Sequence, residues 1–179
     1  APYFSGTPGY TAYTYDAEDR VASESRAGGG STSYSYAVNA SPKELKVTAT
    51  ETIVTSGLGN ETQKKQSWVN ALGQLTRVYD DYTGSTQVLT EYDYDVYGNL
   101  DWTRVDSNAG TVITMTHDRM GNKLSITEPN TGTTTFDVDA LGQVIETQDA
   151  NGQETDYVYD KIGRLVTRYD DVGGSSYKV

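Results

Sequence analysis

Apolar and polar positions alternate singly along most of this chain, the period of a half-buried strand. In Tyr157-Val158-Tyr159, Tyr92-Asp93-Tyr94 and Tyr13-Thr14-Tyr15 the alternation places both rings on one face. Each triplet runs into an aspartate, Asp160, Asp95 or Asp16, and then into a reversal. Gly163 and Gly98 close two of the reversals, and Asp19 stands in the glycine place of the third. The unit is Tyr-x-Tyr-Asp-x-x-Gly-x-Leu: strand, turn, strand. Aspartate suits such a turn because its carboxylate accepts turn amides, and glycine supplies a positive φ without steric cost. Weaker copies keep Asp118 with Gly121 and Asp139 with Gly142. A further copy at Val69-Asn70-Ala71-Leu72-Gly73 lacks both tyrosine and aspartate.

A second series of glycines lies between these copies, at Gly9, Gly30, Gly59, Gly84, Gly110, Gly132, Gly152 and Gly174. The spacing implies about seven β-hairpins of 20–29 residues each. The expected fold is all-β, an antiparallel meander of about fourteen strands of five to twelve residues, with essentially no helix. Residues 1–179 read as a single module. The most regular repeats lie at 84–174, and longer hairpins at 37–70, where Leu45, Val47, Ala49 and Ile53 still alternate. Both ends fall inside the repeat, so the sheet is expected to be open at both ends. The chain starts at Ala1 and reads as processed or excised.

Composition sets limits on this picture. Leu, Ile, Val and Phe total 32 of 179 residues, and the net charge is −11, a balance typical of disorder. Against it stand 15 tyrosines and 25 threonines, which favour pleated, half-buried surface. With no cysteine there is no disulfide, thiol nucleophile or thiolate zinc site. The acidity disfavours nucleic acid and anionic membrane as partners, and no apolar run is long enough to insert in a bilayer.

These residues carry a resemblance. Several copies of Tyr-x-Tyr-Asp-x-x-Gly-x-Leu in phase resemble the YD repeat of the Rhs proteins. The same repeat occurs in the B and C components of insecticidal toxin complexes, in wall-associated proteins and in teneurins. The resemblance implies a curved or spiralling single-layer sheet and a structural role in a shell, and it implies no catalytic residue here. Its autoproteolytic signature has no counterpart in this chain.

Candidate chemistry is weighed against that architecture. Tyrosines can form a sugar-binding track, but a ladder of rings across neighbouring strands explains them more simply. Asp93, Asp95 and Asp101, or Asp170 and Asp171, can be set against calcium, which needs six to eight oxygens; turn capping accounts for most of the aspartates. His117 takes a tyrosine slot and has no nucleophile motif beside it. No pair of carboxylates stands out for glycoside cleavage. Asn39-Ala40-Ser41 and Asn60-Glu61-Thr62 are sequons, expected in loops. The sequence thus points to a non-enzymatic structural module, extracellular or at the cell surface, without cofactor. Its partners are the rest of a larger YD-repeat chain, or copies of itself joined edge to edge as a filament; a carbohydrate-binding or adhesive surface module and a fragment of a toxin-encapsulating cocoon are the alternatives.

Overall fold

The computed structural model describes residues 9–27, 29–55, 59–82, 86–171 and 176–178. Its strands are β1 (Ala12–Tyr15), β2 (Val21–Ser25), β3 (Ser31–Ala40), β4 (Lys43–Thr55), β5 (Gly59–Val69), β6 (Leu75–Tyr82), β7 (Thr86–Tyr94) and β8 (Leu100–Val105). They continue as β9 (Ile113–His117), β10 (Lys123–Glu128), β11 (Gly132–Val138), β12 (Val144–Gln148), β13 (Glu154–Tyr159), β14 (Leu165–Asp171) and β15 (Ser176–Lys178). Strand order in the sheet is sequence order, β1 to β15. The antiparallel meander is therefore as expected, with 15 strands of 3 to 13 residues among the described residues where about fourteen of five to twelve were anticipated. Among the described residues the helical content is one 3-10 turn, Ala109–Thr111. Two compact units are distinguished, Ala1–Glu91 and Tyr92–Val179.

In the first unit the irregular stretch is the expected long hairpin: β4 and β5 pair from Leu45↔Val69 to Thr55↔Gly59. The buried apolar residues there are Trp68 and Val78. Trp68 meets Tyr79 edge to face, ring centroids 5.4 Å apart, and carries Lys46 and Arg77 at 5.1 and 5.2 Å from its own centroid. Glu44, 7% exposed, pairs with Arg77 and accepts the Thr76 hydroxyl at 2.6 Å, so its buried charge is both neutralised and hydrogen-bonded.

In the second unit Met115 is the buried apolar residue, and β11 alternates half-buried and exposed from Gly132 to Val138. One row of the exposed face is paired Ser and Thr: Thr116 with Ser125 at 2.7 Å, Thr127 with Thr133 at 2.8 Å. Asp137, Glu146 and Asp156 stand opposite one another on three successive strands. Burial and then the acids Glu154, Asp137 and Asp156 push the Glu146 carboxyl above the usual carboxylate range.

No described side chain is fully buried. Stability must come largely from the backbone ladder and from local polar ties. Two of these repeat at one sequence offset: the Tyr36 hydroxyl donates to the Val21 carbonyl at 2.9 Å and the Tyr159 hydroxyl to that of Val144 at 2.8 Å, each 15 residues back. Each ties a strand to the hairpin before it. Tyr159→Phe is expected to cost about 0.5–1.5 kcal/mol in urea unfolding with the sheet signal in circular dichroism retained, the net worth of one hydrogen bond.

Candidate functional site

The repeat's turns form the most regular structure in the chain. At Asp16, Asn70, Asp95, Asp118, Asp139, Asp149 and Asp160 the backbone closes in the same way. The N–H of this first residue donates to the carbonyl four residues on, and the N–H three residues on donates back to its carbonyl, all at 2.8–3.2 Å. The side-chain Oδ1 of that first residue then accepts two more backbone N–H groups, those of the second and fourth residues after it. At Asp118 these are Met120 and Asn122, at 2.8 and 2.9 Å. At Asp95 they are Tyr97 and Asn99, and at Asp160 they are Ile162 and Arg164. Asn70 does the same for Leu72 and Gln74. The copy at Asn70 has therefore kept its turn, because an amide carries the same Oδ1 acceptor as a carboxylate.

The residue after the glycine completes the device, and sequence reasoning treated it as free. Arg20 Nε, Asn99 Nδ2, Asn122 Nδ2 and Arg164 Nε donate to the second oxygens of Asp16, Asp95, Asp118 and Asp160 at 2.7–2.9 Å. At the amide turn the polarity reverses, and Asn70 Nδ2 donates to Gln74 Oε1 at 2.8 Å. The available signal was that this place holds only Arg, Asn or Gln in every copy. These donors hold the carboxyls below the usual range. The side chain of Arg20, Asn99 or Asn122 is the leading cause at Asp16, Asp95 and Asp118. At Asp149 and Asp160 it is the backbone N–H of Gln153 and Arg164.

Successive turns also touch. A Cβ on Gly142 would come within 2.7 Å of Asn122 Oδ1, and one on Gly121 within 3.2 Å of Asn99 Oδ1. Gln143 Nε2 donates to the Gly163 carbonyl at 3.1 Å. Glycine is thus required twice over at 121 and 142, by φ values of 87° and 77° and by the neighbouring turn's amide. Just past five of these turns the return strand carries one extra residue, Ala22, Thr76, Leu124, Ile145 or Val166, skipped in the pairing. Such bulges bend and twist a strand. The Asp149 turn, at the opposite rim, has no skipped residue in its pairing, Gln148↔Glu154 and Thr147↔Thr155.

Other expectations are corrected. Gly110 lies in the 3-10 turn, where Asn108 caps the Gly110 N–H at 2.9 Å, and Gly132 opens β11 after a loop without the aspartate. The turns at Gly84 and Gly174 lie outside the described residues. Tyr92, Tyr94, Tyr157 and Tyr159 are half-buried while Tyr13 and Tyr15 are exposed, and burial pushes the Tyr94 phenol up. The tyrosines do not stack in a ladder: Trp68–Tyr79 is the one aromatic pair among the described residues. Register explains this, since Tyr157 faces Arg168 and Tyr159 faces Leu165, and the paired-tyrosine segments sit on β1, β3, β7 and β13, never on neighbouring strands. Asn39 and Asn60 lie within β3 and β5, opposite Glu44 and Val54, because both strands run longer than the loop expectation allowed. His117 faces Lys123 across the β9–β10 pair. Asp93 accepts Trp102 Nε1 at 3.0 Å, and Asp170 accepts Thr155 and Arg168. Among the described residues no three acids or histidines gather as a metal site.

The RHS Repeat family model matches residues 138–176. No curated protein matches the chain. Among solved structures, a crystal structure of TcdB2-TccC3-Cdc42 is similar over 94% of this chain with TM-score 0.68 at 18% identity. A Photorhabdus luminescens Tc holotoxin pore is similar over 94% with TM-score 0.66 at 18% identity, and TcdB2-TccC3 alone over 94% with TM-score 0.67 at 16%. The chain spans 9% of the length of each of those chains.

The turn device makes a pH-dependent prediction. A carboxyl held below its unfolded value contributes stability that is present above the ordinary carboxylate range and is lost as pH falls through the depressed folded value. Asp118→Ala is expected to lower the melting temperature at neutral pH. Asp118→Asn, which repeats the arrangement at Asn70, is expected to keep most of it and to lose less on acidification. Thermal melts followed by circular dichroism from neutral to acid pH check both; equal losses for the two variants would discard the Oδ1 role.

Proposed function

We propose that this is an Rhs/YD-repeat chain and that residues 1–179 act as one module in the wall of a β-sheet shell, within a larger YD-repeat protein. The observation that carries this reading is one of proportion: the fold matches along 94% of this chain while accounting for 9% of the matched toxin-complex chains. The role is structural and non-enzymatic. The first residue of each turn is engaged in holding that turn, and among the described residues His117 and the acids form no constellation of base, nucleophile and oxyanion donors. The protein works outside the cytoplasm, as a secreted or surface component.

The burial of the first repeat supports a continuing sheet. Tyr13 and Tyr15 are 52% and 62% exposed on β1, the first of the described strands, whereas Tyr157 and Tyr159, flanked by β12 and β14, are half-buried. One more strand alongside β1 gives the first repeat the same cover. In the shell reading that strand belongs to the same larger chain. In the filament reading it belongs to a second copy.

Immunoblotting of producing cells and their medium with an antibody to this chain separates the two. A band far above 19.5 kDa, recovered from the medium or the cell surface, is expected. A native product of 19.5 kDa would refute the larger chain.

A further inference from the structure

Asparagine followed by glycine occurs once in the chain, at Asn151-Gly152. The pair sits in the Asp149 turn, and both residues are exposed. In the other turns of this type the place of Asn151 holds Glu18, Leu72, Tyr97, Met120, Leu141 or Ile162, none of which carries an amide. An asparagine before glycine is the most prone to cyclise onto its own backbone. Glycine has no Cβ to obstruct the approach of its nitrogen to the preceding side chain, and its φ and ψ are free to follow. The reaction needs no partner but water.

The Asp149 turn is also the least secured of the aspartate turns in the second unit. At Asp95, Asp118 and Asp160 the side chain after the glycine holds the second carboxylate oxygen at 2.7–2.9 Å. At Asp149, among the described residues, that oxygen meets Asn151 Nδ2 alone, at 3.4 Å, and Gln153 contributes its backbone N–H to Oδ1 at 2.9 Å. A Cβ on Gly121, Gly142 or Gly163 would run into Asn99, Asn122 or Gln143 of the neighbouring turn, whereas one on Gly152 would meet no described atom within 4 Å. The neighbour contact of this turn is at Ala150, whose Cβ lies 2.6 Å from where a Cβ on Gly132 would stand. Two hydrogen bonds restrain the reacting pair: the Gly152 N–H donates to the Asp149 carbonyl at 2.9 Å, and the Asn151 N–H to Asp149 Oδ1 at 2.8 Å. Releasing them opens one exposed turn, a local event far less costly than unfolding the sheet.

We propose that Asn151 is a site of spontaneous deamidation in the folded chain, gated by opening of the Asp149 turn. Once its N–H has left the Asp149 carbonyl, the Gly152 nitrogen attacks Asn151 Cγ. A bond forms between the two, the Cγ–Nδ2 bond breaks, and Nδ2 departs as ammonia with the proton given up by Gly152. Water then opens the resulting succinimide at either carbonyl, leaving aspartate or isoaspartate in place of Asn151. No oxidant or reductant takes part. Both products set a second carboxylate beside Asp149. Isoaspartate also routes the main chain through the former side chain, which is longer by one methylene. The Gly152 and Gln153 N–H groups then no longer both reach Asp149, and the Gln148↔Glu154 pair beside the turn is released. The modification loosens the β12–β13 hairpin at its closed end.

Incubation of the 179-residue chain at neutral pH and physiological temperature tests this, with peptide mass spectrometry over time and labelling of the product by an isoaspartyl methyltransferase. Conversion of amide to acid is expected first at Asn151, ahead of Asn60 and Asn108, which are also exposed but precede Glu61 and Ala109. Asp149→Ala is expected to speed the conversion by on the order of tenfold, the effect of removing hydrogen bonds to a charged acceptor. Gln153→Arg, which supplies the tie on the second oxygen present at Asp16 and Asp160, is expected to slow it. Circular dichroism checks that each variant is folded, and if Asp149→Ala is not, Gln153→Arg decides. An intact Asn151 after Asn60 or Asn108 has reacted would overturn the proposal. Equal rates in the unaltered chain and in Gln153→Arg, or a rate in the folded chain equal to that in urea, would overturn the gating by the turn.

Discussion

A single carboxylate oxygen that accepts two backbone N–H groups is the interaction on which this sheet depends. It recurs at Asp16, Asp95, Asp118, Asp139, Asp149 and Asp160, and Asn70 supplies the amide version. A hairpin with no deep core has little else to set its register. Once the turn is closed, the pairing beside it follows, and the residue after the glycine donates to the aspartate's second oxygen at Asp16, Asp95, Asp118 and Asp160. The bulged residue three places past the glycine then adds twist at the same point in each repeat. Six of the 25 acids belong to this device, so part of the net charge of −11 is architecture.

The thinness of the core is the other side of the same design. Three apolar residues are buried among those described, and fifteen strands are held chiefly by ladder bonds, paired hydroxyls and tyrosine ties. Among the described residues no side chain is fully buried. Whatever it does must be done by a surface. That thinness supports the structural role proposed for it.

The hairpins, their phase and the long β4–β5 pair were legible in the sequence because each rests on short-range chemistry: alternation, a turn acceptor and a positive-φ glycine. What was missed rests on distance in space. The tyrosine ladder fails because the paired-tyrosine strands are never adjacent, which no single repeat reveals. Asn39 and Asn60 read as loop residues because strand length depends on the partner strand. Gly110 was in phase by count yet sits in a 3-10 turn, since a glycine alone does not say which turn it serves. Glu44 has no local signal at all: its burial depends on Thr76 and Arg77, which lie 32 and 33 residues away.

A residue-resolved carboxyl titration by NMR tests the central claim most directly. If the turn carboxylates organise the sheet, Asp16, Asp95, Asp118, Asp149 and Asp160 titrate below the ordinary aspartate range, and the sheet's amide dispersion is lost as they take up protons. Titration of these aspartates at ordinary values, with the fold unchanged when they are protonated, would contradict the account.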